Sequence, residues 1–218
     1  KRLHRRLDYI EDLSPWLALA LADAGFANPA EIRVHGLRFA PSGELWAATS
    51  EGAFALDLEA GTARLAPMHR DLPAGPLQRF VRNVLFDGDS IWFGTQAHGI
   101  LRCDREASHC RQFRADARPG SLSNDLILML EKDVTGRIWA GTLDGLNRYD
   151  PNNDRWIVFD QDDGLPSAVV RSLISTEEGV IFVGTHGGLA RLEGDRFVHD
   201  FKVNEVPDPT VYAMAEDP

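Results

Sequence analysis

Four segments of this chain share one frame, and no other feature limits the fold as tightly. Aligned on an aromatic residue they read "LWAATSEGAFALD" (45–57), "IWFGTQAHGILRCD" (91–104), "IWAGTLDGLNRYD" (138–150) and "IFVGTHGGLARLE" (181–193). The aromatics Trp46, Trp92, Trp139 and Phe182 stand 46, 47 and 43 residues apart. Thr49, Thr95, Thr142 and Thr185 each follow three residues later. Gly52, Gly99, Gly145 and Gly188 then lead, always in five steps, to Asp57, Asp104, Asp150 and Glu193. One copy alone would suggest a catalytic or phosphate-binding loop. Four copies in register indicate a repeat architecture.

A period of 43–47 residues accommodates four short strands. In the third copy the first runs over 126–132, with a turn at "DVTG" (133–136). The second is "RIWAGT" (137–142) and the third "LNRYD" (146–150); "PNND" turns the chain into the fourth, "RWIVFD" (155–160). Linkers at 118–123 and "QDDGLPS" (161–167), with a related stretch at 23–29, lead between units. Strands apolar on both faces need cover on both faces, which radial stacking of blades supplies. The expectation is an all-β fold, a β-propeller segment of four-stranded antiparallel blades. The blades fall at about 32–67, 79–114, 125–160 and 168–201, and a fifth starts at 210. Residues 1–22 form an N-terminal segment of unassigned role ahead of a partial propeller, 23–218.

The pattern aromatic-x-Gly-Thr-x-x-Gly-Leu-x-Arg-Tyr-Asp, followed by a linker such as "DGLPS", resembles the two-component regulator propeller repeat. The resemblance covers about 23–218 and is most specific at 120–193. The first unit departs from it with Ala48 before Thr and "AFALD" after the turn. The second has one extra residue before Gly99, and the fourth has Phe182 and Glu193. That family forms the extracytoplasmic sensor part of bacterial histidine kinases, hybrid two-component proteins and some diguanylate cyclases. The resemblance implies a periplasmic, non-catalytic, ligand-binding piece of a larger receptor, with a small molecule or oligosaccharide as ligand. It implies membrane attachment only through other parts of the parent chain. The absence of an initial Met fits a processed chain or a piece of a longer one. A partial ring would remain an open arc or close against a second copy as a homodimer; residues 1–22 are candidates for outer strands beside 210–216.

A net charge of −10 over 218 residues argues against a nucleic-acid partner, which needs a basic stripe. "WLALALA" (16–22) has acids between it and the basic start, unlike a signal peptide, and reads as a buried strand or short helix. No apolar run reaches the ~18 residues of a membrane span.

No catalytic residue, metal site or cofactor is expected. A nucleophile need occur only once, so four equivalent threonines are structural, their hydroxyls serving the turn between second and third strands. The acids that close the third strands serve turn amides in the same way. Trp46, Trp92, Trp139 and Phe182 pack between blades. His35, His69, His98, His109 and His186 show no ligand spacing. Function on a repeat scaffold tends to sit where the frame varies. The turns between second and third strands therefore nominate Glu51, Gln96, His98, Asp144 and His186 as a ligand-facing rim. Cys103 and Cys110 correspond to Tyr149 and Trp156, which face each other across a hairpin in the third unit. A cross-strand disulfide fits that placement and an oxidising compartment, while two free thiols is the alternative. Two other functions stay open: a propeller enzyme of lyase or glycosidase type, and a protein–protein scaffold.

Overall fold

The computed structural model describes Ala22 and residues 32–68, 80–199 and 207–215. The expectations for 1–21, for the stretch 23–29 and for His69 lie outside the described residues. So do position 79 and residues 200–201 at the blade limits, and the last residues of a fifth unit, 216–218.

Among the described residues sixteen strands form four antiparallel sheets, each an up-and-down meander of four consecutive strands. The first sheet is β1 (Val34–Phe39), β2 (Leu45–Thr49), β3 (Gly52–Asp57) and β4 (Thr62–Leu65). The second is β5 (Val81–Asp87), β6 (Ser90–Thr95), β7 (Ile100–Cys103) and β8 (Cys110–Phe113). The third is β9 (Ile127–Lys132), β10 (Ile138–Thr142), β11 (Leu146–Asp150) and β12 (Arg155–Phe159). The fourth is β13 (Val170–Ser175), β14 (Ile181–Thr185), β15 (Gly188–Glu193) and β16 (Arg196–Val198). The chain is an all-β propeller segment of four-stranded antiparallel blades.

Tight turns start each second strand. In blade three the amide of Gly136 donates to the Asp133 carbonyl at 2.9 Å, and Gly136 takes a φ of 86°. Gly43 and Gly179 close the same turn in blades one and four.

Because both faces of β2, β6 and β10 are apolar, these strands are buried almost throughout. Each repeated Trp belongs to the seam with the following blade. Trp46 clusters with Val84, Ile91 and Phe93, Trp92 with Tyr149 and Trp156, and Trp139 with Ile181 and Val183. Burying one such ring removes roughly 200 Å² from water, about 5 kcal/mol gross. Phe182 is only half-buried, so the fourth position is less enclosed than its three siblings.

The Gly before each Thr is the joint between blades. A Cβ on Gly94 would lie 2.7 Å from Ile127 Cγ2 of β9. On Gly141 it would meet the Val170 carbonyl oxygen of β13 at 2.7 Å, and on Gly184 it would meet Val211 Cγ1 at 2.7 Å. Val211 thus occupies the place that Ile127 and Val170 hold in the previous seams. Its amide donates to the Thr185 carbonyl at 2.9 Å, although 211–215 pair with no further strand among the described residues. In blade one Ala48 takes the Gly position and packs in the cluster that holds Val81.

The inner strands also share an irregularity. The register against the second strand slips between Val34 and Gly36, between Val81 and Asn83, and between Val170 and Ser172. It also slips opposite Gly141 and Thr142, across Leu128. The residues lifted out of the ladder are His35, Arg82, Leu128 and Arg171. A bulge of this kind re-aims a side chain.

Candidate functional site

The turn between second and third strands has one construction in all four blades. Each Thr hydroxyl donates to the carbonyl of the turn Gly: Thr49 to Gly52 (2.9 Å), Thr95 to Gly99 (2.9 Å), Thr142 to Gly145 (3.0 Å) and Thr185 to Gly188 (2.8 Å). The same oxygen accepts a turn amide, from Glu51, His98, Asp144 and Gly187 respectively. The extra residue of blade two moves this amide one position along, to His98. All four hydroxyls are buried with their threonines, and each bonds a buried carbonyl and a half-buried turn amide. Gly145 has φ 116°, and a Cβ there would meet the Phe159 carbonyl oxygen at 2.5 Å; both facts require glycine.

The acids closing the third strands act as turn caps in three blades. Asp57 accepts the Glu59 and Ala60 amides, Asp104 the Ser108 amide, and Asp150 the Asn152 amide. The Ser108 amide comes first among the bonds that hold the Asp104 carboxyl down at about 2, below the usual range. The Asn153 side chain comes first among the bonds that lower the Asp150 carboxyl below its usual range. Glu193 departs from the expected role. Its hairpin turns in two residues, Gly194 and Asp195, so no turn amide is left to cap, and Glu193 pairs instead with Arg191.

The latch holds the rim residues. Gln96 Oε1 accepts from Arg82 at 2.7 Å. Asp144 Oδ2 accepts from Asn124 of the preceding linker at 2.7 Å. His186 Nε2 accepts from Arg171 Nε, and the His186 ring stands 6.4 Å from the Tyr212 ring. His98 has its Nδ1 buried without a partner; burial first, then Arg114, lowers its pKa below the usual histidine value. Glu51 contributes its backbone amide to the latch. Among the described residues no hydrogen bond or ion pair joins any two of the five. All five lie in the turns between second and third strands, with side-chain partners that differ from blade to blade.

Two clefts of about 340 and 310 Å³ lie at the opposite end, where first and second strands turn. Glu131 and Lys132 border both, and no rim residue lines either one. Among the described residues no group of three or more His, Cys, Asp and Glu is gathered as a metal site.

Cys103 and Cys110 are opposite one another in the β7–β8 ladder and are joined as a disulfide. Asp133 was not legible as a special residue. Its buried carboxylate accepts from Trp139 Nε1 (2.8 Å), Arg137 Nε (2.6 Å) and the Thr135 hydroxyl (2.6 Å). Burial alone would raise its pKa; these bonds outweigh it and hold the group at about 2. The sequence signal was a turn Asp six residues before a repeated Trp. It occurs in this form once, since Trp46 uses Glu44 and Trp92 Nε1 has no partner.

The fold is shared with solved structures. The chain superposes on the extracellular domain of BT3049 from B. thetaiotaomicron, assigned to the hybrid two component systems. The TM-score is 0.65 at 20% identity, over 78% of this chain and 24% of that one. PorZ, a surface component of the type-IX secretion system of Porphyromonas gingivalis, gives 0.60 at 17% identity, over 85% and 30%. A streptogramin B lyase gives 0.55 at 12%, over 75% and 52%. The chain spans about a quarter of the length of the hybrid two component domains it matches. No protein-family model matches the chain. No curated protein matches it in sequence. What these likenesses establish is the propeller.

Proposed function

We propose that this chain is a non-catalytic, ligand-sensing propeller segment from the extracytoplasmic part of a bacterial transmembrane receptor. Binding on the rim would favour one signalling state of the receptor, through its differential affinity for the two states, and so control a kinase or cyclase output. The observation that carries this reading is a frame repeated in four blades, within which the turns between second and third strands carry different polar residues. The likeness to extracellular domains of two-component systems supports it. The Cys103–Cys110 disulfide supports an oxidising compartment.

The test is a binding screen of neutral and acidic saccharides by calorimetry, repeated with Asp144→Ala and His186→Ala. Binding weakened about tenfold or more by either variant is expected, at unchanged fold by circular dichroism. Saccharides that bind equally well to both variants, or none that bind, would overturn the rim as the sensing surface. Turnover of a bound saccharide or a streptogramin would favour the enzyme reading.

A further inference from the structure

The bulges of the inner strands place two arginines where no carboxylate among the described residues lies within salt-bridge reach. Arg82 from β5 and Arg171 from β13 are the lifted residues of blades two and four. Among the described residues only Arg33, Arg82, Arg171 and Arg196 have no carboxylate within salt-bridge reach; every other arginine pairs with one. This is unusual economy in a chain of net charge −10, where acids outnumber bases. Arg196 reaches the Asp162 carbonyl at the far edge of blade four, and Arg33 lies beside the first rim turn.

Both rim arginines are instead held by neutral acceptors. Gln96 Oε1 takes one N–H of Arg82, and His186 Nε2 takes Nε–H of Arg171. Such a partner fixes the direction of a guanidinium without cancelling its charge. The remaining N–H donors have no protein acceptor among the described residues. The Tyr212 ring lies 5.0 Å beneath the Arg171 guanidinium and is 66% exposed, which steadies the cation and leaves an aromatic surface at its side. β5 and β13 pack on either side of β9 and carry these arginines at the same register position; burial, and then the charge of Arg171, lowers the Arg82 pKa. His35, lifted in blade one, has its pKa lowered by burial and next by Arg82. Its neutral form would add no further repulsion.

We propose that Arg82 and Arg171 form a binding site for the oxyanion group of a ligand: a carboxylate, sulfate or phosphate. Planar guanidinium forks match these groups with paired N–H donors. An incoming anion relieves the repulsion between the two cations and takes up their idle donors. Gln96 and His186 act as positioning residues that aim the forks. The proposal rests on the rim reading above and gives its ligand a chemical class.

The experiment measures thermal midpoint and calorimetric binding of the full chain with sodium sulfate, sodium phosphate, galacturonate and neutral galactose. Sodium chloride keeps ionic strength constant. At least one anion should bind, and the ranking of sulfate, phosphate and galacturonate separates inorganic anion from sugar acid. Arg82→Gln and Arg171→Gln should each weaken that binding by about tenfold to a hundredfold, the usual worth of a hydrogen bond to a charged group. Arg105→Gln, an exposed arginine elsewhere on blade two, should not. Without anion, the two Gln variants should melt no lower than the parent, because each removes one of two repelling charges. Failure of all three anions to bind would overturn the proposal, as would equal binding by both rim variants. Galactose binding that survives both arginine changes but is lost in Asp144→Ala would remove the anion site and leave the rim reading standing.

Discussion

Single residues in this fold act by settling the hydrogen bonds of buried turns. Thr142 shows how much one hydroxyl can carry: it donates to the Gly145 carbonyl, accepts the Asp144 amide and contacts Ser123 Oγ at 2.9 Å. Thr142→Val keeps the shape and removes the oxygen. It takes the partner from the Asp144 amide and the Ser123 hydroxyl, while the Gly145 carbonyl keeps the Thr142 amide at 3.0 Å, so urea unfolding should show a loss of about 1–3 kcal/mol. A loss below about 0.5 kcal/mol would mean that water replaces the hydroxyl. The role of the repeated Thr could be inferred from its recurrence alone, because four equal copies exclude a unique chemical task. Asp133 could not, since its importance lies in a Trp139 indole that packs back over its own turn. It yields a pH prediction. Its folded pKa of about 2 lies below the ordinary value near 4, so the stability it contributes is complete above about pH 4 and drains away as pH falls towards 2. Asp133→Asn should destabilise the protein at pH 7, and the gap between parent and variant should narrow steadily from pH 4 to pH 2 in urea titrations. A gap that stays constant over that window would show that the carboxylate charge contributes nothing.

At the scale of elements, two joints do most of the fastening: the Gly before each Thr, and the disulfide between β7 and β8. Gly141→Ala would press a methyl group on the Val170 carbonyl and on Met129 Cγ at 2.6 Å. Backbone cannot swing aside as a side chain can, so a loss of about 1–3 kcal/mol is expected from chemical denaturation. Ala48 shows that the first seam is spaced to accept the methyl, so Ala48→Gly should bring no relief and cost about 1 kcal/mol. The double change Cys103→Ser with Cys110→Ser opens a short loop and should cost roughly 2–3 kcal/mol, read against the parent under non-reducing conditions. The strands of the third unit were legible to within a residue or so, because alternation and turn residues are local. In the third unit the expected starts at 126 and 137 and end at 160 became 127, 138 and 159. The bulges were not legible. Which residue leaves a ladder depends on the register between two strands, and nothing in "VRN" or "VRS" declares that Arg82 and Arg171 are the residues lifted. That is why the rim arginines escaped a reading that found Gln96 and His186 beside them.

For the whole molecule, stability should follow nearest-neighbour seams as in any stacked repeat. Blades two and three are clasped on both faces, by clusters that centre on Trp46, Trp92 and Trp139. Among the described residues, blade four has such a cluster on one face. Along β14 and β15 the residues facing blade three, Ile181, Val183 and Ala190, are buried, while Phe182, Leu189 and Arg191 on the other face are half-buried. The described part of 207–215 supplies cover there chiefly through Val211. Blade one differs again: Leu45, Ala47, Phe54 and Leu56 are buried on its outward face, yet Leu37 and Phe39 of β1 remain over 40% exposed. Amide exchange should therefore be slowest in β6, β7, β10 and β11, and faster in β15 and β16 by a margin that reflects local opening rather than global unfolding. Val211→Asp should speed exchange in β14 and β15 while leaving β6 and β7 unchanged, because their seams do not touch residue 211. Mass spectrometry of exchanged peptides reads both effects. Equal acceleration in all four blades would show that the arc opens as one cooperative unit, and that its seams are too strongly coupled to be treated one at a time.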